Sequence, residues 1–555
     1  MSGTDRHFDQ TNGFAHTQHS APIVTFYRFG DPRITQYVPL PVFVNEVATG
    51  EADAIIVPSR GVLARTVHTF DEQSGRTAIQ QVQATKQLGS AAGQWSVTLK
   101  GDATPFDIVS DATLIGASWM DVITDGDWVE ISVLVNGEKY TLMVGRVDKV
   151  SLSLTASETG VGATTIVSGR DCGAVYEDVP IYFNPYDAAH ANPVGINVGK
   201  MLGADGVLNG SPSEIASQVL ATFAGNGPYG QQPDVPAGLF SFASIPFVDV
   251  VADNVSATKG TVFAASMLTV TAAGSVWEYA NSFVVPQFNE MIIDTRPSEV
   301  DLLQRKAYLT IRERPFCNLT DGTSSPWFDL QPIPVNLSEV QTLSVSKGQN
   351  RVNQIQVITQ LLSGMGAESA TLYPPLINTK DAKRYGLRRM EQRTQHNFGI
   401  GGTTDTASPE KLRNLICHWN VLNPYYYSGM VAIARIRPDI RVGSKIVMQG
   451  GPSPIHPVVP EAVGVNLRSK DCGTALTFYV EGVQWDFTGG ESPRSRTQVM
   501  VSRGYPENKR LLDIAAQVVH WADPFGIPPI SGDPGEKIND IYDYNDVVDD
   551  GTVFV

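Results

Sequence analysis

Between Tyr479 and Phe487 the chain alternates: Tyr479, Val483, Trp485 and Phe487 fall on one face, Val480, Gly482, Gln484 and Asp486 on the other. A period of two predicts a half-buried strand, and a glycine inside it marks a bulge or a close backbone approach. The same kind of strand stands far upstream in TLMVGRVDKVSLSL, around Gly145. There, two β-rich runs flank Asn136-Gly137, a pair that accepts the positive φ angles of a type I′ turn and so predicts a hairpin. GQWSVTLKG adds a strand before the hairpin and TTIVSGRD one after it.

The period then changes. In SPSEIASQVLATFAG, 211–225, Ile215, Val219, Leu220 and Phe223 recur at helical spacing behind a serine cap, with Gly225 as the stop. Loops and short strands follow, up to NSFVVPQFNEMIIDTRP and AYLTIRERPF. Strand text returns in VQTLSVSKGQNRVNQIQVITQLL, GMVAIARIRPDIRVGSKIVMQ and RTQVMVSRGYP, interrupted by a predicted helix at 409–422 with Pro409 in its first turn. A last helix is predicted over NKRLLDIAAQVVHWA, 508–522. The expected organisation is an N-terminal arm at 1–20, a first antiparallel β domain at 21–175, an α+β middle domain at 176–334, a second β domain at 335–505, and a C-terminal helix with an acidic tail at 506–555.

Composition narrows the classes. With 42% hydrophobic and 18% charged residues, the chain has enough apolar material for real cores. No apolar run approaches the ~20 residues of a membrane-spanning helix, and MSGTDRHFDQTNG has no apolar signal region, so no stable membrane insertion and a cytoplasmic origin are expected. A net charge of -16 argues against phosphate binding over the whole surface, while an acidic wall would let DNA pass without holding it. Cys172, Cys317, Cys417 and Cys472 form no C-x-x-C pair, which argues against a zinc site or a disulfide framework, although Cys172 and Cys472 both stand in DCG triplets.

Candidate chemistry is sparse. GINVGKM has the wrong glycine spacing for a phosphate loop, and Met201 stands where a hydroxyl ligand of magnesium belongs. His7, His16 and His19 read as a flexible terminus rather than a metal cluster, and His418 beside Trp419 reads as packed. The cluster Tyr425–Tyr427 fits base or sugar stacking, or packing in a core or subunit interface, and the second is preferred for want of a cationic groove. Lys383, Arg384, Arg388, Arg389 and Arg393 form a basic patch that would meet an acidic neighbour or solvent rather than nucleic acid. DYNDVVDDG lacks the ligand spacing of a calcium loop. The sequons at Asn254, Asn318 and Asn336 carry no weight without a secretory signal. No catalytic, cofactor or metal residue is assigned.

The ends of the two β domains repeat each other. MVGRVDKVSLSL … TTIVSGRD and YVEGVQWDFT … TQVMVSRGYP each join a glycine-bearing strand to an IVSG- or MVSRG-like strand, and each follows a glycine turn, in DGDWVEISV and VGSKIVM. Two similar domains in one chain give pseudo-sixfold symmetry when three copies close a ring. At these residues, and in FNEMIIDTRP, LTIRERPF, NRVNQIQV and RPDIRVGSKI, the chain from about 90 to 505 resembles the baseplate hub proteins of bacteriophage tails, a family similar to the N-terminal part of type VI secretion spikes. The resemblance implies a homotrimer with two β-barrel domains per chain. It implies a tail tube protein on one side and a central spike protein on the other, with a tape measure protein and then DNA in the lumen and other baseplate proteins around it. The implied location is the virion tail, after assembly in the bacterial cytoplasm. Two other readings stay open: a tail-associated peptidoglycan hydrolase with acids in the middle domain, and a receptor- or glycan-binding protein using Tyr425–Tyr427.

Overall fold

In the computed structural model the residues described are 21–29, 35–44, 47–58, 62–68, 79–100, 118–135, 138–157, 160–178, 180–182, 196–197, 207–210, 248–252, 263–266, 274–284, 289–295, 307–314, 330–347, 352–362, 368–372, 375–394, 413, 416–417, 427–449, 477–489, 494–505 and 521–522. Among the described residues thirteen strands form one sheet. They are β1 (Ala21–Phe29), β2 (Val62–His68), β3 (Ile79–Gln87), β4 (Gln94–Lys100), β5 (Trp128–Val135), β6 (Glu138–Ser157) and β7 (Gly160–Asp171) in the first unit. In the second unit they are β8 (Pro332–Asn336), β9 (Val340–Lys347), β10 (Tyr427–Ile433), β11 (Lys445–Gln449), β12 (Thr477–Thr488) and β13 (Arg494–Tyr505).

The two units have the same topology. Leaving β2 aside, the strands of each unit, numbered in chain order, lie in the sheet as 2-3-6-5-4-1: β3-β4-β7-β6-β5-β1 and β9-β10-β13-β12-β11-β8. One pairing differs, since β1 runs antiparallel to β5 whereas β8 runs parallel to β11. The likeness reaches single hydrogen bonds. Gly126 donates to the Val147 carbonyl at 2.8 Å, and Gly443 to the Val480 carbonyl at 2.9 Å. The return bonds run from Val147 N–H to Asp127 O and from Val480 N–H to Ser444 O. Both glycines sit in the left-handed region, at φ 85° and 82°, where a side chain would be strained.

Each unit also carries an acidic bulge. Asp148 interrupts the register of β6 on β7, and Glu481 that of β12 on β13. Aligned on these bulges, Gly145 matches Phe478 and not Gly482, so the two glycine-bearing strands repeat each other while their glycines do not. The bulge also corrects the expected faces of β12. Val480 joins Phe478, Val483, Trp485 and Phe487 in the core, because the extra residue resets the alternation.

The units do not stand as separate sheets. β12 pairs antiparallel with β3, from Gly482 opposite Gln87 to Thr488 opposite Gln81, and so stitches the second unit to the first. Among the described residues neither unit closes into a barrel by its own pairings.

Between the units, strand Asn289–Thr295 pairs with Ala307–Glu313, which pairs in parallel with Val248–Ala252. Four helices are described in enough length to name: α1 (Trp119–Val122), α2 (Ala174–Asp178), α3 (Val276–Phe283) and α4 (Thr379–Tyr385). α3 falls where loops and short strands were expected. Its signal was local, a capping box in which Ser275 and Glu278 bond each other's backbone amides. Residues 211–225 and the Asn136-Gly137 turn lie outside the described residues, although Val135 does pair with Glu138 across that turn. Of the helix predicted at 409–422, Arg413, Ile416 and Cys417 are helical and buried. The helix predicted at 508–522 is corrected at its end: Trp521–Ala522 is a strand paired with Leu376–Asn378. The rest of that stretch lies outside the described residues.

Candidate functional site: a strand seam and two open edges

The seam between β12 and β3 is closed by backbone. Leu88 N–H donates to the Glu481 carbonyl at 2.7 Å, and Gly489 N–H to the Gln80 carbonyl at 2.6 Å. Glu481 marks the handover of that edge: up to Tyr479, β12 pairs with β11, and from Gly482 onward with β3. A bulge bends its strand and sharpens the twist, which lets one edge serve two partners.

Beneath the seam lies a buried charged cluster drawn from both units and the middle region. Lys86 Nζ is 2.8 Å from Asp171 Oδ2 and 3.8 Å from Asp294 Oδ1. Burial works against the Lys86 ammonium, but the carboxylates of Asp171 and Asp294 outweigh it and hold its pKa above the ordinary lysine value. Burial pushes the Asp171 carboxyl up against the pull of Lys86. The pair is ionic, since a carboxylate is what both the ammonium at Oδ2 and the Gly173 amide, 2.9 Å from Oδ1, require. Arg441 crosses from the second unit to the first, donating to the carbonyls of Leu142, at 2.7 Å, and Thr141. It also meets Asp294 at 3.3 Å and lies over the Trp485 ring at 4.9 Å. Tyr479 donates its hydroxyl to Glu290 at 2.6 Å. Arg437 is tied to Glu339 and Asp439, and its carbonyl accepts from Trp485 Nε1 at 3.0 Å.

This cluster is chemically a lock. Its acids are buried (Asp171, Glu290, Glu339) or half-buried (Asp294, Asp439) and engaged by cations or by Tyr479, and burial pushes the neighbouring Cys172 thiol up, away from the reactive thiolate. The middle-domain acids Glu290 and Asp294 are part of this lock. Among the described residues no group of His, Cys, Asp and Glu is placed to hold a metal ion.

Two further edges are open. Beyond Asp148, the side of β6 away from β7 has no strand partner among the described residues, and neither has the side of β9 away from β10. By the repeat, that part of β6 corresponds to the part of β12 that β3 covers, and β9 corresponds to β3. In this alignment Leu152 and Leu154 occupy the positions of Trp485 and Phe487. Trp485 and Phe487 are buried at 1% and 3% exposure, whereas Leu152 and Leu154 stand 39% and 64% exposed.

The residues singled out in the sequence fall as follows. Tyr427 is buried in the core, paired with Lys347 and Gly504, so it offers no stacking face; Tyr425 and Tyr426 lie outside the described residues. Lys383, Arg384, Arg388 and Arg389 come together, all exposed, on and just after α4. Arg393 continues the strand Arg389–Thr394. Cys172 and Cys417 are buried free thiols. Asn336 caps a 3₁₀ turn, its Oδ1 accepting from Ser338 N–H. Met201, His7, His16, His19, His418, Trp419, Cys317, Cys472, Asn254, Asn318 and the acidic tail lie outside the described residues. The seam residues were missed because Lys86, Asp171, Asp294 and Arg441 are scattered over the chain with no local motif.

No family model matches the chain, and no curated protein matches it. Solved structures do. A tail protein from Neisseria meningitidis MC58 is 10% identical over 77% of this chain and 93% of its own, with a TM-score of 0.39. The 43 kDa tail protein of prophage MuSo2 from Shewanella oneidensis is 10% identical over 79% and 95%, with a TM-score of 0.36. An E. coli type VI secretion component, itself described as similar to T4 bacteriophage tail proteins, is 6% identical over 78% and 74%, with a TM-score of 0.34.

Proposed function

We propose that the chain is a structural hub of a phage tail baseplate, adapting a hexameric tail tube to a trimeric spike, with a lumen that passes DNA without binding it specifically. On this reading the expected spans 21–175 and 335–505 are the hub domains, with 176–334 between them, except that β8 starts the second unit at Pro332. The observation that carries it is the repeated six-strand unit with unequal edges. Within one chain, β3 covers the edge of β12. The equivalent edges, β6 beyond Asp148 and the outer side of β9, are left to a neighbouring copy. Placed as β12 is on β3, β6 would set Leu152 opposite Val345 and Leu154 opposite Leu343 of that copy. Three copies joined this way give six units around one axis, and a heterologous contact that closes is what a ring requires.

Two measurements test this. Light scattering on the full chain is expected to give the mass of three subunits; a chain that stays monomeric at every concentration overturns the ring. Oxidation of the double variants S151C/S346C and S153C/S344C is expected to give a covalent ladder ending at three. A trimer that yields no ladder in either register keeps the hub and discards this edge contact. The same chain is expected to leave a peptidoglycan gel intact, and clearing abolished by one Asp or Glu substitution would restore the hydrolase reading.

A further inference from the structure

Outside the seam, the strongest charged feature is the knuckle formed by α4 and the residues after it. It is a rigid platform. Asn378 caps α4 by accepting from Asp381 N–H at 3.0 Å, and Gly386 ends the helix at φ 76°. The buried Asn353 clamps the following loop, donating to the Gly386 carbonyl at 2.8 Å and accepting from Arg388 N–H at 2.6 Å. From this platform Lys383, Arg384, Arg388 and Arg389 project into solvent beside Tyr385 and Leu387, which are 42% and 63% exposed. Arg384 lies over the Tyr385 ring at 5.1 Å, and Arg389 pairs with Glu391 at 2.6 Å. Among the described residues Lys383, Arg384 and Arg388 form no ion pair.

A cationic, partly apolar knuckle on a chain of net charge -16 calls for an acidic, partly apolar occupant. The chain holds one. Residues 523–555 contain eight acidic residues and one basic, and EKINDIYDYNDVVDDG mixes those acids with Ile538, Ile541, Tyr542, Tyr544, Val547 and Val548. The structure also shows where this segment starts. Trp521 pairs with Asn378, the residue that caps α4, so the chain after Ala522 leaves from the foot of the knuckle. Thirteen residues lie between Ala522 and Glu536, an extended reach of up to about 50 Å. Tethering of that kind makes the encounter intramolecular.

We infer that the basic knuckle around Lys383, Arg384 and Arg388 is the docking surface for the acidic C-terminal segment, 536–550, of the same chain. Each cation would meet a carboxylate at the protein surface, so the contact is ionic, salt-sensitive and reversible. A partner that competes for either surface would release the segment.

Zero-length carbodiimide coupling of the full-length chain tests this, because it joins an amine only to a carboxylate already in contact. Mass spectrometry is expected to find Lys383 joined to acids between Glu536 and Asp550. Yield should fall several-fold between low salt and 1 M salt. It should fall similarly in R384E/R388E, which keeps Lys383 as the reporter and changes only exposed side chains. Mixed ¹⁴N and ¹⁵N chains separate the sources: links within one isotope support the inference, and mixed-isotope links overturn it in favour of a second copy. Absence of any such link in the wild-type chain at low salt also overturns it. Solution mass read in parallel keeps this result apart from the hub reading, since a trimer without the link, or the link without a trimer, decides each separately.

Discussion

At the scale of residues, two glycines that look alike in the sequence do different work. A Cβ on Gly145 would stand 2.4 Å from the Arg170 carbonyl and 2.6 Å from Trp95 Nε1, whose indole donates to that same carbonyl. Backbone and a buried ring cannot step aside. A Cβ on Gly482 meets only the terminal methyl of Met500 below 3 Å, at 2.2 Å, and Met500 is partly exposed. Gly145→Ala is therefore expected to destabilise by about 1–3 kcal/mol and Gly482→Ala by less than about 1 kcal/mol, measured by denaturant unfolding. Equal losses would contradict the close approach at Gly145. Asp178 supplies a pH dependence. Partial burial opposes ionisation, but hydrogen bonds from Arg170 and Arg146 prevail and hold its pKa below the ordinary value. A depressed carboxylate stabilises the fold fully above its unfolded pKa of about 3.9, and that contribution is lost as pH falls through the lower folded value. D178N is expected to flatten the acid limb of a melting-temperature profile below about pH 4 and to leave its shape near neutrality unchanged.

At the scale of elements, the repeat rests on the turns that introduce β5 and β11. DGDWVEISV and VGSKIVM were legible as a pair because a turn with positive φ demands glycine at one position, and that demand is local. Gly126→Ala and Gly443→Ala are expected to cost about 1–2 kcal/mol each and nearly the same amount, since both place a Cβ in left-handed backbone within the same hydrogen-bond frame. A large difference in unfolding free energy would break the equivalence. The seam was not legible in this way. Lys86→Met removes the only described cation on the buried Asp171, and an uncompensated buried charge costs about 3–5 kcal/mol. Adding Asp171→Asn is expected to recover part of that loss. If the double variant is as unstable as the sum of the single ones, Lys86 and Asp171 do not act as a pair.

At the scale of the whole molecule, the expected ring draws on the open edges of β6 and β9 and not on the acidic tail. A chain ending at residue 530 should still give the mass of three subunits by light scattering, because the stretch it lacks is rich in like charges. Collapse to monomer on that truncation would move the assembly surface to the C-terminus. The sequence by itself determined many of the strands, the glycine turns and the doubling of the β unit, because each is written in residues within a few positions of one another; the capping box of α3 is equally local, yet loops and short strands were expected there. It could not determine that β12 crosses to β3, that the bulge at Glu481 returns Val480 to the core, or that the basic residues around α4 share one exposed platform. Nor could it assemble Lys86, Asp171, Asp294 and Arg441. Those outcomes are long-range, set by which edge was left unpaired and which charges had to be neutralised once water was excluded, and only the tertiary structure decides them.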